Sequence, residues 1–308
     1  MSILRIENLT KEYSTGFFGR KFRALNKLNL EVEEGEIFGF LGPNGAGKTT
    51  TIKILLRIIF PSDGTAWLLN KKLGDTPELH KIGYMPENPY FYRFLTGYEF
   101  LMFYAKLIGL SYEEGQKKAN RLLDIVGLAD AKKTRLSDYS KGMVTRVGLA
   151  QSLITDPTLL LLDEPMSGLD PIGRREIRDL IAQLKEQKKT IFFCSHILAD
   201  VEMLCDRVAI LNKGNLIKLG AVQDLLDSGT KHYILSLDGL SQEKVDQISS
   251  TTIKHEDIGG IQHFTVANRE DAQNIAQKAI ADNARIIELR PERGTLEDYF
   301  VREVSTHE

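Results

Sequence analysis

Over most of the chain, short apolar runs of strand length alternate with stretches whose apolar residues recur at helical spacing. "EIFGFLG", "TLLLLDE" and "KTIFFCSH" are nearly continuous apolar runs and predict buried strands. "ILRIENL" and "LNLEVEEGE" mix apolar with polar positions and predict half-exposed strands. Helices are expected over Lys48 to Ile59 and Pro171 to Gln187, and 96–152 is mostly helical, with no clear strand signal. "DRVAILNKGNLIKLG" predicts a hairpin turning at Lys213-Gly214. This alternation of strands and helices argues for an α/β core.

After Gly220 the texture changes. A short helix, "AVQDLLDSG", leads to "HYILSL" as a strand and "SQEKVDQISS" as a helix. "TTIKHEDIGGIQHFTVA" follows as a hairpin around Gly259-Gly260. "REDAQNIAQKAIADNA" is a helix, "RIIELR" a strand, and "TLEDYFVREV" a closing helix. The order β-α-β-β-α-β is that of a ferredoxin-like fold. The expected division is therefore a main domain over 1–219, with a helical subdomain at about 96–152, and an accessory α+β domain over 220–308.

Composition narrows the classes. At 42% hydrophobic and 27% charged the chain can bury a real core, and a net charge of −2 with pI near 6.4 gives no sign of a nucleic-acid partner. Cys194 and Cys205 lie in apolar segments and are too few for a disulfide framework, so buried reduced thiols are expected. "MSILRIENLTKEY" has no signal-peptide core, and runs such as "TLLLLD" are far short of the roughly 20 residues that span a bilayer. The chain is expected to be soluble by itself, with any membrane role supplied by a partner.

Candidate chemistry begins at "GPNGAGKTT". The pattern G-x-x-x-x-G-K-[ST] is met by Gly42, Gly47, Lys48 and Thr49. Across Gly42, Pro43, Asn44, Gly45, Ala46 and Gly47, backbone N–H groups can converge on phosphates, and the helix opening at Lys48, Thr49 and Thr50 adds its positive end. Lys48 should reach the β- and γ-phosphates, and the Thr49 hydroxyl should take one Mg²⁺ position. "LLLLDEP" supplies two carboxylates at the end of a buried strand, Asp163 for Mg²⁺ and Glu164 beside the γ-phosphate as general base. A nucleotide hydrolase is expected.

"GPNGAGKTT", "YSKGM", "LLLLDEP", "SGLD" and "CSH", in that order, resemble the ATP-binding subunit of an ABC transporter over roughly residues 3 to 218. The resemblance implies a RecA-like P-loop core with an antiparallel β subdomain and a helical subdomain, binding ATP with Mg²⁺. It also implies two chains packed head to tail around two ATP. Ser140, Lys141, Gly142 and Met143 stand at the family signature, where Ser140 and Gly142 contact ATP held by the partner's loop. An ordinary helix N-cap is the plainer use of Ser140, and a solvent-facing lysine that of Lys141. Tyr13 matches the aromatic that stacks on adenine, His196 the switch histidine at the γ-phosphate, and Asp170 the loop linking the two catalytic sites. Glu87 stands where a Mg²⁺-sensing glutamine is usual.

Glu87 and "YSKGM" resemble the branch of exporters with ABC-2 type membrane subunits. Tyr90, Phe91 and Tyr92 are the candidates for contact with that permease, core packing being their alternative. The basic-aromatic "FFGRKFR" is expected as a loop after Tyr13. The resemblance implies a chain that is cytoplasmic and peripheral on the inner face of the cell membrane through a separate integral membrane permease. Intact Glu164, Ser140, Gly142 and His196 make two equivalent sites possible, so a homodimer is expected, with no nucleic acid. The alternatives are an importer ATPase with a regulatory C-terminal domain and a soluble ABC ATPase acting on ribosomes or DNA. Nothing in the chain names the cargo.

Overall fold

Residues 2–15, 20–75, 78–89, 91–227, 232–292, 295–297 and 299 are described by a computed structural model. The chain divides into two compact units, Met1–Val222 and Gln223–Glu308.

The first unit opens with β1 (Ser2–Thr15) and β2 (Arg20–Glu33), a long antiparallel pair. β3 (Ile37–Leu41) and α1 (Lys48–Leu55) follow, then β4 (Asp63–Leu68), β5 (Lys71–Lys72) and β6 (Ile82–Met85). Three helices come next, α2 (Gly97–Leu107), α3 (Tyr112–Ile125) and α4 (Lys141–Ser152). The chain continues through β7 (Leu159–Asp163), α5 (Pro171–Glu186), β8 (Thr190–Ser195), α6 (Leu198–Leu204), β9 (Arg207–Asn212) and β10 (Asn215–Ala221).

Two sheets organise this unit. One is antiparallel, in the order β2-β1-β4-β5; the other runs β10-β9-β3-β8-β7-β6, parallel except for the β9–β10 hairpin. Every residue of β3, β7 and β8 is buried, as strands covered on both faces require. Their side chains join those of β1, β2 and α1 in one core that includes Leu4, Leu28, Phe40, Ile52, Leu161 and Phe192. Cys194 and Cys205 are free and buried, and burial pushes the Cys194 thiol well up.

α2 and α3 each start on a full capping box, Thr96 with Glu99 and Ser111 with Glu114, which pins both N-termini. α1 differs from its expected span. It stops at Leu55 because Arg57 turns left-handed at φ 59 and the Ile58 N–H donates five residues back to Lys53 O. The first hairpin also differs. Tyr13 lies inside β1, and Arg20 to Arg23 belong to β2 rather than to a loop. Cross-strand pairing extends the ladder: Arg23 Nη2 sits 2.8 Å from Glu12 Oε1, and Tyr13 is the register partner of Phe22. Residues 17–19 of the expected loop lie outside the described residues.

The second unit begins in α7 (Val222–Asp227), then β11 (His232–Asp238), α8 (Gln242–Ser249), β12 (Lys254–Ile258), β13 (Ile261–Val266), α9 (Arg269–Ala281) and β14 (Arg285–Glu292). The strands form one antiparallel sheet in the order β12-β13-β11-β14. Leu235, Leu237, Phe264 and Ala276 build its own core. Gly259 and Gly260 turn the hairpin at φ 64 and 88, a pairing that two-residue loops of this hand demand. Most of the expected closing helix lies outside the described residues, although Leu296 and Tyr299 are buried.

Leu161, fully buried in the central sheet, sets a check on this core. Leu161→Ala should lower unfolding free energy by about 2–5 kcal/mol in a urea titration, with the m-value unchanged.

Candidate nucleotide-binding site

Strand order builds this site. β3, β8 and β7 are parallel neighbours, so the segments leaving their carboxyl ends meet, and such crevices are where α/β sheets hold ligands. β3 runs into the loop Gly42 to Gly47, where Gly45 and Gly47 take φ 82 and 111. Gly42 is needed for space: a Cβ there would lie 2.5 Å from the Leu211 carbonyl oxygen. The Ala46 N–H donates back to Pro43 O at 3.1 Å, and the loop curls around a cavity of about 170 Å³. Gly47, at the N-cap of α1, offers no side chain to the first-turn amides. Those N–H groups and the positive helix end are left for an anion.

Lys48 is buried and folded back. Its Nζ donates to Gly42 O at 2.5 Å and lies 3.2 Å from Glu164 Oε1. Glu164, also buried, follows β7 in the left-handed region at φ 52 and is held there by its N–H donating to Cys194 O on β8 at 3.0 Å. Its Oε2 lies 2.8 Å from Nδ1 of His196, the first residue after β8. An ionised Glu164 can only accept, so the shared hydrogen belongs to Nδ1. Each of these three residues leaves a different strand.

Beside them, Thr49 Oγ1 donates to Asp163 Oδ2 at 3.0 Å, while Asp163 Oδ1 is buried with no hydrogen-bond partner. Burial raises the Asp163 pKa, against the lowering effect of the Thr49 hydroxyl. A hydroxyl and an orphaned carboxylate oxygen at the phosphate loop are hard donors that fit Mg²⁺. Among the described residues no group of three or more His, Cys, Asp or Glu side chains is set to hold a metal. The remaining ligands would have to be phosphate oxygens and water.

Comparison with known proteins gives this geometry its context. The family profile described as ABC transporter matches residues 25–167. An uncharacterized ABC transporter ATP-binding protein of Synechocystis is 44% identical over 306 residues, 98% of this chain and 85% of that protein. The chain belongs to the ABC transporter ATP-binding proteins. The linearmycin resistance ATP-binding protein of Bacillus subtilis is 30% identical over 316 residues, covering 97% of each chain. A dimeric ATP-binding cassette, solved in a post-hydrolysis state bound to ADP and Pi, is 26% identical with a TM-score of 0.61, over 71% of this chain and 98% of that one. As an ABC ATPase, this chain binds and hydrolyses ATP, and its first unit has the P-loop ABC ATPase fold.

In this ABC ATPase the expected site residues fall into two groups. Pro43 to Thr50, Glu87 and Glu164 line the phosphate cavity, with Gly42 at its root and Asp163 and His196 adjoining. Ser140 to Met143 do not line it. Ser140 caps α4, accepting from the Met143 N–H at 3.3 Å, so the plain capping role holds. It is nonetheless exposed, and a Cβ on Gly142 would meet nothing within 4 Å. The start of α4 is thus an open helix end. Asp170 caps α5 by accepting from the Gly173 N–H at 2.9 Å.

Phe22 lines the phosphate cavity, whereas Tyr13, its cross-strand partner, does not and lies 5.1 Å from the Lys11 ammonium. The pairing of the two strands, not any local motif, brings Phe22 there. Phe91 packs edge-on against Phe100 at 4.6 Å, in the subdomain core. Tyr92 is exposed and forms a surface cluster with Phe94 and Phe103. Phe94, 71% exposed, escaped the sequence reading; its place in "FYRFL" next to Tyr92 is the available signal. Tyr90 lies outside the described residues.

Lys141 reaches over the "SGLD" loop of its own chain, and a Cβ on Gly168 would fall on its ammonium. Gly168 has φ 65, so Gly168→Ala should cost about 1 kcal/mol of stability from backbone strain alone. A double-mutant cycle with Lys141→Ala should show coupling under about 0.5 kcal/mol, because the flexible lysine end can move aside. For Asp163, a raised folded pKa means that the ionised carboxylate weakens folding. Without nucleotide, Asp163→Asn should melt above the wild type at neutral pH. That gap should shrink as pH falls through the raised pKa and vanish below the ordinary value of 3.8.

Proposed function

We propose that this chain dimerises around two ATP and powers export through a separate ABC-2 type membrane subunit. The observation that carries the reading is the separation of two phosphate-binding features. The loop ending in Lys48 lines its cavity with Glu164, while the exposed start of α4 at Ser140 is absent from that cavity. A second copy packed head to tail would lay its Ser140 to Met143 against the γ-phosphate held here. Asp170 would then lie at the seam, and adenine would stack on the Tyr13–Phe22 strand pair. The dimeric state of the cassette bound to ADP and Pi supports this arrangement.

Phosphate arrival is the trigger in this scheme. Loop N–H groups Gly42 to Thr50 orient the phosphates, and Lys48 exchanges Gly42 O and Glu164 for phosphate oxygens. Glu164 thereby loses its ion pair as substrate binds, becoming a base only in the loaded site. It then accepts a proton from water whose oxygen attacks the γ-phosphorus, while the bond to the bridging oxygen breaks and ADP leaves. His196 orients Glu164 through Nδ1 and helps place the water. Thr49 and Asp163, with Glu87 nearby, would hold Mg²⁺, which would supply charge neutralisation on the phosphates when bound.

Export is supported by the relative named for linearmycin resistance, since moving a toxic compound out is a way for a transporter ATPase to confer resistance. Among the described residues no helix is long and apolar enough to cross a membrane, which fits a channel contributed by another chain. The exposed Tyr92, Phe94 and Phe103 cluster suits a groove for that subunit's helix.

Glu164→Gln tests the scheme. ATP binding should persist, turnover should fall by about 10²–10⁴-fold, and the ATP-loaded variant should elute as a dimer. Unaltered hydrolysis would remove Glu164 from its role; a monomer at saturating ATP would overturn the shared site. Affinity purification of this variant from native membranes should recover a multi-spanning protein in equal amount, and recovery of ribosomes instead would reject the transporter assignment.

A further inference from the structure

A second cavity, of about 350 Å³, opens within the first unit away from the nucleotide loop, between α3, the end of α4 and the end of α5. Leu122, Ile125, Leu153 and Leu184 give it an aliphatic floor, and no aromatic residue lines it. Lys117, Lys118, Arg121 and Lys189 surround that floor, against the two carboxylates Glu114 and Asp156. Both acids are already engaged. Glu114 closes the capping box with Ser111, its Oε2 accepting from the Ser111 N–H and hydroxyl, and Asp156 Oδ1 is 2.6 Å from Lys189 Nζ. Among the described residues Lys117, Lys118 and Arg121 make no ion pair or side-chain hydrogen bond.

The spacing of these cations is helical. Lys117 and Arg121 are four apart and Lys118 and Arg121 three apart on α3, so they share a face with Leu122 and Ile125. Lys118 and Arg121 also act on the Asp156 carboxylate, holding its pKa below the usual range after the larger effect of Lys189. One carboxylate of the chain itself, exposed at the rim, therefore already sits in a field of three cations. A cleft with this charge excess and an apolar floor matches a ligand with an anionic head and an aliphatic tail. A nucleobase or other flat ring would find no stacking partner among the lining residues. The volume lies at the lower end of the roughly 300–1,000 Å³ range of small-molecule sites.

We propose that this cavity binds a single-chain anionic amphiphile, an alkyl phosphate or alkyl carboxylate, with its head among Lys117, Lys118 and Arg121 and its tail over Leu122, Leu153 and Leu184. The occupant bridges α3 of the helical layer to α5 of the sheet layer. None of these residues belongs to the nucleotide site, so the proposal stands or falls separately from the ATPase reading.

Isothermal titration of the full chain with decyl phosphate, below its micelle concentration, tests this. Saturable binding at one site is expected, with decanol and inorganic phosphate each at least about tenfold weaker. Lys117→Glu combined with Arg121→Glu should weaken decyl phosphate by about tenfold or more, while Arg121→Lys should retain most of it. Both altered positions are exposed, and circular dichroism together with unchanged basal ATPase would show that the fold is intact. Absence of saturable binding, equal binding by the charge-reversed variant, or equal affinity for inorganic phosphate would each overturn the site. So would binding only to phosphatidylglycerol vesicles and not to the monomeric amphiphile.

Discussion

The contact between Lys48 and Glu164 is the constraint around which the rest of the nucleotide site is arranged. A buried ammonium and a buried carboxylate tolerate the loss of water only while they face each other or an equivalent charge. Keeping them together requires β3 and β7 to sit on either side of β8, with all three strands parallel and in register. It also requires Glu164 to leave β7 in a left-handed turn fixed by the Cys194 carbonyl. His196 completes the set from the middle strand. The fully buried strands of the sheet are thus the means by which three titratable groups are held a few ångströms apart.

That arrangement has an electrostatic consequence. Lys48 has a protein partner for its charge and can exchange it for phosphate, whereas Asp163 keeps an oxygen with no partner and a raised pKa. The site therefore carries a local cost in stability that bound ligands are suited to relieve, a pattern common where binding and folding compete for the same groups. The start of α4 behaves oppositely. Ser140 caps its own helix and leaves Gly142 open, with no described residue within 4 Å of a Cβ placed there.

Beyond the sheet, the helical layer combines rigid and open features. Capping boxes fix α2 and α3, and Phe91 and Phe100 pack inside. Tyr92, Phe94 and Phe103 remain outside on one flank, and the basic face of α3 lines its own cleft on another. Two surfaces of different chemistry, one aromatic and one cationic over an aliphatic floor, are thereby carried on the same short stack of helices. The second unit keeps a separate core and a sheet with β12 and β14 at its edges.

Much of this was determined by the sequence alone, wherever the deciding physics is local. Glycine spacing in "GPNGAGKTT", four apolar residues before Asp163 and Glu164, and the paired turn residues Lys213-Gly214 and Gly259-Gly260 each dictate backbone conformation within a few residues. The strands and helices expected from periodicity followed for the same reason, whereas β4, β5, β6 and α6 carry patterns too short to have been read that way. Tertiary structure alone decided what depends on residues distant along the chain. Phe22 reaches the phosphate cavity because of cross-strand register, and Lys48 meets Glu164 across 115 intervening residues by strand order. α1 ends early at a left-handed Arg57 that no glycine or asparagine announces. The cleft beside α3 exists because a helix of one layer lies against the end of a helix from another. Local torsional preference is written residue by residue, but contact between remote segments is settled only when the whole core packs.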